Sequence, residues 1–305
     1  MKAFIFTGQG NEYSQMAKEL YENNLFAKEL IDKLNIKFSY KDIFVKENDL
    51  IHDTRYSQIG IFVISTILAK MLCDKGIYAD VCAGLSLGEY TALCYSKAIS
   101  IDDTISILEN RSNIMYEALY GKDTGMYAVM FLNSSKVEEI VKQFDKVWIA
   151  NYNSPDQVVI AGDYKQLEEC SKICTKSGAK KIIKLDVIGA FHTRLLKEAS
   201  MKLKDVLNKY SFNNPNIPVY YNYVGNKSND DIKELLVNQL YNSVKFEQII
   251  LNMINDGVDE FYVIGVGKSI DSFIRSIAIH NKLKLKVVHI EKMQDLEAVK
   301  WIELL

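Results

Sequence analysis

The chain has 305 residues, 48% of them apolar and 25% charged, which is enough material for one large hydrophobic core or two modest ones. Its 37 basic and 39 acidic residues leave a formal net charge of −2, so a surface built to neutralise nucleic-acid phosphates is not expected. The apolar start, residues 1–7, is too short for a signal peptide or a membrane span and reads as a buried first strand that runs into Gly8-Gln9-Gly10. Cysteines 73, 82, 94, 170 and 174 are odd in number and accompany no export signal, which points to reduced thiols in a cytoplasmic protein.

In chain order, residues 13–23 and 25–34 read as short amphipathic helices, 40–56 as polar and irregular, and 58–75 as a long apolar helix ending at Gly76. Residues 79–83 form an apolar extended run, followed by Gly84-Leu85-Ser86-Leu87-Gly88 and a helical run over 89–94. Strand, Gly-X-Ser-X-Gly turn and helix are the parts of a nucleophile elbow. Glycines 84 and 88 suit a turn in which backbone packs on backbone with no room for a Cβ. Ser86 would stand exposed at the tip, with the amide of Leu87 opening the first helical turn and pointing into the same space. Such a pair suits attack on a carbonyl and stabilisation of the oxyanion that forms.

A further helix is expected over 101–119, with Asp102 and Asp103 in its first turn. Strand alternating with helix argues an α/β fold with a mostly parallel, doubly wound sheet, whose site lies at the carboxyl ends of strands, where Ser86 is. From residue 123 the pattern changes. A strand over 126–132, a helix over 134–144 capped by Ser134 or Ser135, strands over 147–150 and 157–161, a helix over 164–176 and a strand over 180–187 follow. This β-α-β-β-α-β order is that of a ferredoxin-like unit. It reads as an inserted subdomain over 123–189, between the two halves, 1–122 and 190–305, of the larger one, and a cleft between the two is a natural substrate site. Beyond it come a turn at 189–191, a long helix over 192–210, a strand at 219–223 and helices over 230–240 and 246–255. A strand at 260–264, a glycine turn at 265–268 leading into a helix, and a closing strand at 285–290 rejoin the first sheet.

A serine hydroxyl needs a base to take its proton, and histidine suits the task near neutral pH. His52 lies in a polar loop, His280 ends a helix and His289 sits in a terminal strand. His192 stands at a strand-to-helix turn on the same edge as Ser86 and is the candidate base, with a capping or core role as the alternative. Cys170 and Cys174 share a helical face, but no third ligand lies near them in sequence, so buried thiols are expected and no metal site.

Seven blocks carry a family likeness: residues 6–10, 84–90, Asn110-Arg111 with Met115, 151–155 with 157–162, Ala190-Phe191-His192, 239–244 and 265–268. In order and spacing they resemble malonyl-CoA:acyl carrier protein transacylases, nearly end to end. The resemblance implies an α/β-hydrolase-like core with an inserted ferredoxin-like subdomain, no cofactor, and malonyl-CoA and an acyl carrier protein as partners. It also implies roles. Ser86 takes the malonyl group as an ester, with His192 as base and then acid. The main-chain carbonyl of Gln239 holds the histidine ring, in place of an acidic third member. The amides of Gln9 and Leu87 form the oxyanion hole. Arg111 binds the malonyl carboxylate through a planar fork of donors; the alternative for this helix arginine is an ion pair with Glu109 or Glu117. Met115 and Phe191 line the acyl pocket, and Phe191 crowds an α-methyl branch, so methylmalonyl should be a poor substrate.

Three positions depart from the family pattern: Leu85 stands where histidine is usual, removing a polar wall, and Thr7 and Val266 stand where proline is usual. Carrier proteins are acidic, and Lys180 and Lys181, with Lys184, Arg194 and Lys197 nearby in sequence, form either a docking patch or a plain solvated face. The expected activity is malonyl loading of a carrier protein for fatty acid or polyketide synthesis. Two alternatives stand beside it: a proofreading hydrolase of the same fold, which has no need of Arg111, and a non-catalytic docking subunit, which needs none of Ser86, His192, Gln9 and Arg111. The neutral surface and the absence of a heptad run point to a monomer.

Overall fold

The computed structural model describes residues 1–34 and 39–302. Its strands are β1 (Lys2–Phe6), β2 (Val81–Gly84), β3 (Thr124–Met130), β4 (Val147–Ser154), β5 (Gln157–Asp163), β6 (Lys181–Lys184), β7 (Val219–Tyr220), β8 (Val244–Lys245), β9 (Glu260–Ile264) and β10 (Lys286–Ile290). They form two five-stranded sheets.

The first sheet runs β10-β9-β1-β2-β7, with every pair parallel. A parallel sheet must be covered on both faces, and the side chains of its central strands alternate between two cores. Phe4, Phe6 and Cys82 face a large core that includes helices Thr54–Asp74 and Gly88–Tyr95, while Ala3, Ile5, Val81 and Ala83 face a smaller one under Phe246–Asn255 and Ser269–His280. Helix Thr54–Asp74 is long and apolar enough to cross a membrane, yet 72% of its most apolar window is buried inside this fold, which makes it a core helix.

The second sheet runs β6-β3-β5-β4-β8. Its first four strands are antiparallel in the ferredoxin-like order, and β8, arriving from much later in the chain, joins β4 in parallel. Met126, Ala128, Val159 and Ala161 on one face enter the large core, whereas Tyr127, Val129, Val158 and Ile160 on the other pack with helices Ser134–Val141 and Tyr164–Lys176. Cys170 and Cys174 are fully buried there as free thiols, and no cluster of three or more metal-ligating side chains occurs among the described residues.

Several expectations are corrected. The stretch 40–56 is not irregular: it holds a helix over Tyr40–Val45, a 3₁₀ turn over Asp49–His52 and the start of the core helix at Thr54. Tyr40, Ile43, Phe44 and Ile51 bury into the large core, which organises a segment that its polar residues disguise. The cap of helix Ser134–Val141 is Asn133, whose side chain accepts from the Ser135 amide, and neither serine fills that role. The long helix over 192–210 is a 3₁₀ turn, Arg194–Leu196, and a helix, Lys197–Leu207, because His192 itself takes a left-handed backbone (φ 56°) that no α-helix accommodates. The strand at 219–223 pairs only over Val219–Tyr220 before the chain turns back, bridging Tyr221 to Asn226. A last helix, Met293–Ile302, follows β10.

Candidate active site

β2 ends at Gly84, and Ser86 next sits in the left-handed region with φ 53°, a strained conformation for a residue with a Cβ. Backbones meet closely around it. A Cβ on Gly84 would lie 2.0 Å from the Gly88 carbonyl carbon, and one on Gly88 would lie 2.2 Å from the Phe6 carbonyl oxygen. Asn222, fully buried, fastens the turn: its Oδ1 accepts from the Ser86 amide at 2.6 Å and its Nδ2 donates to the Gly84 carbonyl at 2.7 Å. The amide of Asn222 donates in turn to the buried Glu89 carboxyl at 2.5 Å. Burial pushes Glu89 up to about 8, and its other oxygen has no partner among the described residues.

His192 meets Ser86 directly, with Nε2 2.7 Å from Oγ. Its Nδ1 lies 2.9 Å from the main-chain carbonyl of Gln239. A carbonyl can only accept, so Nδ1 carries the proton and donates, leaving Nε2 bare to accept from the serine hydroxyl. Burial pushes this imidazole down to about 4, the Gln239 carbonyl partly opposing and the Arg111 charge adding to the shift, so the ring is neutral at pH 7. The Gln239 side chain closes the loop by donating from Nε2 to the Ser86 carbonyl at 2.8 Å.

Arg111, on helix Ile101–Leu119, is only 1% exposed. It donates from Nη1 to Gln58 Oε1 at 2.6 Å, and from Nη2 to both Ser86 Oγ and Gln239 Oε1 at 3.3 Å. The Tyr90 ring lies 5.2 Å from its guanidinium carbon, and its Nε has no partner among the described residues. The ion-pair alternative is absent: Glu109 accepts from the Tyr40 hydroxyl and Glu117 pairs with Lys202. Burial lowers Arg111, but a guanidinium begins so far above neutrality that it stays charged.

These groups open on a cleft of about 250 Å³, lined also by Gln9, Leu85, Leu87, Met115 and Phe191. The second sheet supplies the opposite wall through Met126, Ala128, Asn151, Asn153 and Val159. The Gln9 side chain accepts from Thr54 Oγ1 at 3.0 Å, while neither its amide nor that of Leu87 meets a backbone acceptor among the described residues. Gln58 Nε2 links Thr54 Oγ1 at 3.2 Å and the Met115 sulfur at 3.6 Å, so one polar side chain in an apolar helix orients Arg111 and the pocket wall together. Lys180 and Lys181 lie outside the cleft, exposed at edge strand β6, with Lys180 over the Phe131 ring at 5.3 Å. From there the chain runs on to Leu185, Asp186 and Val187, which do line the cleft. His280 is exposed near Asp156, and His289 sits between two carboxylates away from Ser86.

Sequence reasoning missed Gln58, Glu89 and Asn222. Gln58 and Glu89 each offered a signal, a long polar side chain within a mostly apolar, buried helix. Asn222, beyond a two-residue strand, offered none, because its partners lie 136 and 138 positions away.

The acyl transferase domain family matches this chain over residues 3–267. A malonyl CoA-acyl carrier protein transacylase of Bacillus subtilis is 33% identical, covering 97% of this chain and 95% of its own, and one of Staphylococcus aureus is 30% identical over 97% of both. Among solved structures, a transacylase of the same name from Clostridium perfringens superposes with a TM-score of 0.93 at 34% identity, over 99% of this chain and 98% of its own. A malonyl-transacylase solved with a type II polyketide synthase acyl-carrier protein gives 0.91 at 26% identity over 97% of both chains. Matched along nearly its whole length, the chain belongs to the acyl transferase domain family, among the malonyl CoA-acyl carrier protein transacylases.

Proposed function

We propose that this protein moves a malonyl group from malonyl-CoA to the phosphopantetheine thiol of an acyl carrier protein, through an ester on Ser86, for fatty acid or polyketide synthesis. The observation that carries the reading is Arg111, a buried cation beside the serine oxygen, with no protein carboxylate paired to it among the described residues and one N–H unused. An isolated buried charge is costly unless something repays it. The free carboxylate of a malonyl group repays it with a planar, two-oxygen acceptor.

The chemistry follows from the contacts. Ser86 Oγ attacks the thioester carbonyl carbon as its proton passes to His192 Nε2, while Gln239 holds Nδ1–H and stabilises the imidazolium. Charge developing on the carbonyl oxygen is received by the amides of Leu87 and Gln9; each such donor is worth about 10²- to 10³-fold in rate. The C–S bond breaks, and His192 returns the proton to the departing sulfur, leaving malonyl-Ser86. The carrier thiol then gives its proton to His192, attacks the ester carbonyl, and Ser86 Oγ leaves with that proton. Arg111 keeps the carboxylate in place through both halves, its bond to Ser86 Oγ giving way to the substrate. Met115, Leu85 and Phe191 shape the acyl pocket, with Phe191 crowding an α-methyl branch. The sequence of steps calls for no metal or cofactor. On this reading the enzyme is a cytoplasmic monomer, residues 1–122 and 190–305 form the catalytic subdomain and 123–189 the smaller one, and Lys180 and Lys181 face the acidic carrier.

Intact-protein mass after brief incubation with malonyl-, acetyl- and methylmalonyl-CoA tests it. A malonyl-sized adduct on the wild type, absent from Ser86→Ala and weak with methylmalonyl-CoA, is expected. No adduct from malonyl-CoA together with hydrolysis of acyl-carrier thioesters would replace the transferase with the hydrolase.

A further inference from the structure

Asn222 does not line the cleft, yet both ends of its carboxamide and both of its main-chain groups are committed to the frame around Ser86. The side chain spans the elbow, accepting from the Ser86 amide at 2.6 Å and donating to the Gly84 carbonyl at 2.7 Å. Its main-chain amide donates to Glu89, in the first turn of the helix that follows the elbow, and its main-chain carbonyl accepts from the Lys245 amide of β8 at 3.0 Å. One buried residue thus joins the nucleophile's turn, the helix behind it and the strand that follows Gln239.

The two side-chain bonds run in opposite senses. The Ser86 amide offers only a hydrogen and the Gly84 carbonyl only lone pairs, so the group facing them must supply one acceptor and one donor, which a carboxamide does and a carboxylate does not. Ser86 needs that hold, because its φ of 53° is a conformation that a residue with a Cβ keeps only where the surroundings over-determine it. Its carbonyl is held as well, by Gln239 Nε2 at 2.8 Å and the Glu89 amide at 3.2 Å. The turn that carries Asn222 is itself closed: the Tyr221 amide donates to the Asn226 carbonyl at 3.0 Å, the Gly225 amide to the Tyr221 carbonyl at 2.8 Å, and Asn252 Nδ2 to the Gly225 carbonyl at 2.8 Å.

We propose that Asn222 is a positioning residue for the acyl transfer, its carboxamide fixing the two peptide groups that flank Leu85 so that Ser86 Oγ stands in line with His192 Nε2. The role rests on the reading of Ser86 as the acylated residue. With its own amide engaged by Asn222, Ser86 leaves the Leu87 amide to receive the oxyanion. Asn222 touches no substrate, so its loss belongs in the rate of bond formation and not in binding. A displacement of about 1 Å at the nucleophile is enough to cost on the order of 10²-fold in rate.

Two readouts test it. The first is labelling of Ser86 by phenylmethanesulfonyl fluoride, in which Oγ bonds to sulfur, fluoride departs and the hydroxyl proton leaves through His192; it reports the nucleophile without malonyl-CoA. The second is malonyl adduct formation by quench-flow mass analysis across malonyl-CoA concentrations. Asn222→Ala leaves the main-chain bonds in place and should slow both reactions roughly 10- to 100-fold, with the half-saturating malonyl-CoA concentration changed by less than about threefold. Asn222→Asp keeps the shape and the acceptor; as a carboxylate it lacks the donor to Gly84, and when protonated it regains it. Its deficit should therefore shrink as pH falls from about 8.5 to about 5.5, a range over which His192 stays neutral in the wild type. A folded Asn222→Ala that labels at the wild-type rate overturns the role. So does an Asn222→Asp deficit equal at every pH, or a half-saturating concentration that rises as much as the maximal rate falls. Should Asn222→Ala not fold, Asn222→Asp decides alone, and the wild-type rate at about pH 8.5 overturns the role. Labelling of wild-type Ser86 without any malonyl adduct sinks the transferase reading instead, and the Asn222 comparison is then decided on the sulfonyl fluoride.

Discussion

His192 and His289 are both bound at both ring nitrogens, yet they end in opposite states. His192 has a carbonyl on one side and the serine hydroxyl on the other, with a buried arginine nearby, and burial holds it down to about 4. His289, in β10, lies 2.9 Å from Asp271 and 3.1 Å from Glu291, and the two carboxylates outweigh its burial to raise it to about 9. Both side chains are mostly out of water, so the sign of the shift is decided by what the nitrogens meet. In this protein the histidine left neutral and able to accept a proton is the one with no carboxylate at either nitrogen. A carbonyl fixes the ring as firmly but does not commit the proton, which suits a base that must accept one and give it back within each half-reaction.

The largest expected effect is on His192. His192→Ala should slow formation of the malonyl-Ser86 adduct by roughly 10²- to 10⁴-fold, read by quench-flow mass analysis. In the wild type, kcat/KM for malonyl-CoA should hold down to about pH 4 before its acid limb begins. An acid limb centred near 6.5 would contradict the contrast drawn here.

The pair also bends stability in opposite directions with pH. His289 is raised in the fold, so its contribution is complete below about 6.5, the unfolded value, and is lost as pH rises through about 9. At 1.36 kcal/mol per unit this amounts to about 3 kcal/mol. His192 is lowered, so protonation of the unfolded chain removes stability as pH falls from about 6.5 through about 4. Urea melts across pH 4 to 9.5 should show both limbs, and His289→Gln should flatten the alkaline one.

Arg111→Ala sharpens the comparison from the other side, since it removes the charge that helps keep His192 neutral. It should lower kcat/KM for malonyl-CoA by roughly 10- to 100-fold while leaving acetyl-CoA less affected or improved, and it should move the acid limb upward. The smallest effect is expected at the exposed edge. Reversing charge at Lys180 and Lys181 should raise KM for the carrier protein roughly two- to tenfold without changing adduct formation from malonyl-CoA, as rim charges act on encounter.

How much of this was legible in the sequence follows the range of the forces involved. The elbow is local: strand, glycines and helix lie within a short stretch, and the steric demand at Gly84 and Gly88 is written in the residues themselves. Strand-helix alternation likewise gave the parallel sheet, because hydrophobic period is a local property. The segment 40–56 was misread because its burial is decided by contacts with the large core, which its polar residues hide. The start of a helix at His192 was misread because a positive φ there is imposed by the site, and no local propensity signals it. Asn222 was missed for a related reason: it looks ordinary until the distant groups it bonds are in view.

Strand β8 bears on how this enzyme can be taken apart. Val244 and Lys245 pair with Asn151 and Tyr152, Ser243 Oγ donates to the Ile149 carbonyl at 2.5 Å, and the Lys245 amide donates to the Asn222 carbonyl at 3.0 Å. The edge of the second sheet is thus finished by a piece of chain from far beyond its other strands, in the same loop that follows Gln239 and leans on Asn222. The segment 123–189 is therefore not an exchangeable cassette. A chimera spliced at 123 and 189 would leave Val244–Lys245 without its partner strand and would slacken the backbone that presents the Gln239 carbonyl, so transplanting acyl or carrier preference between relatives requires grafting 243–245 along with the insert.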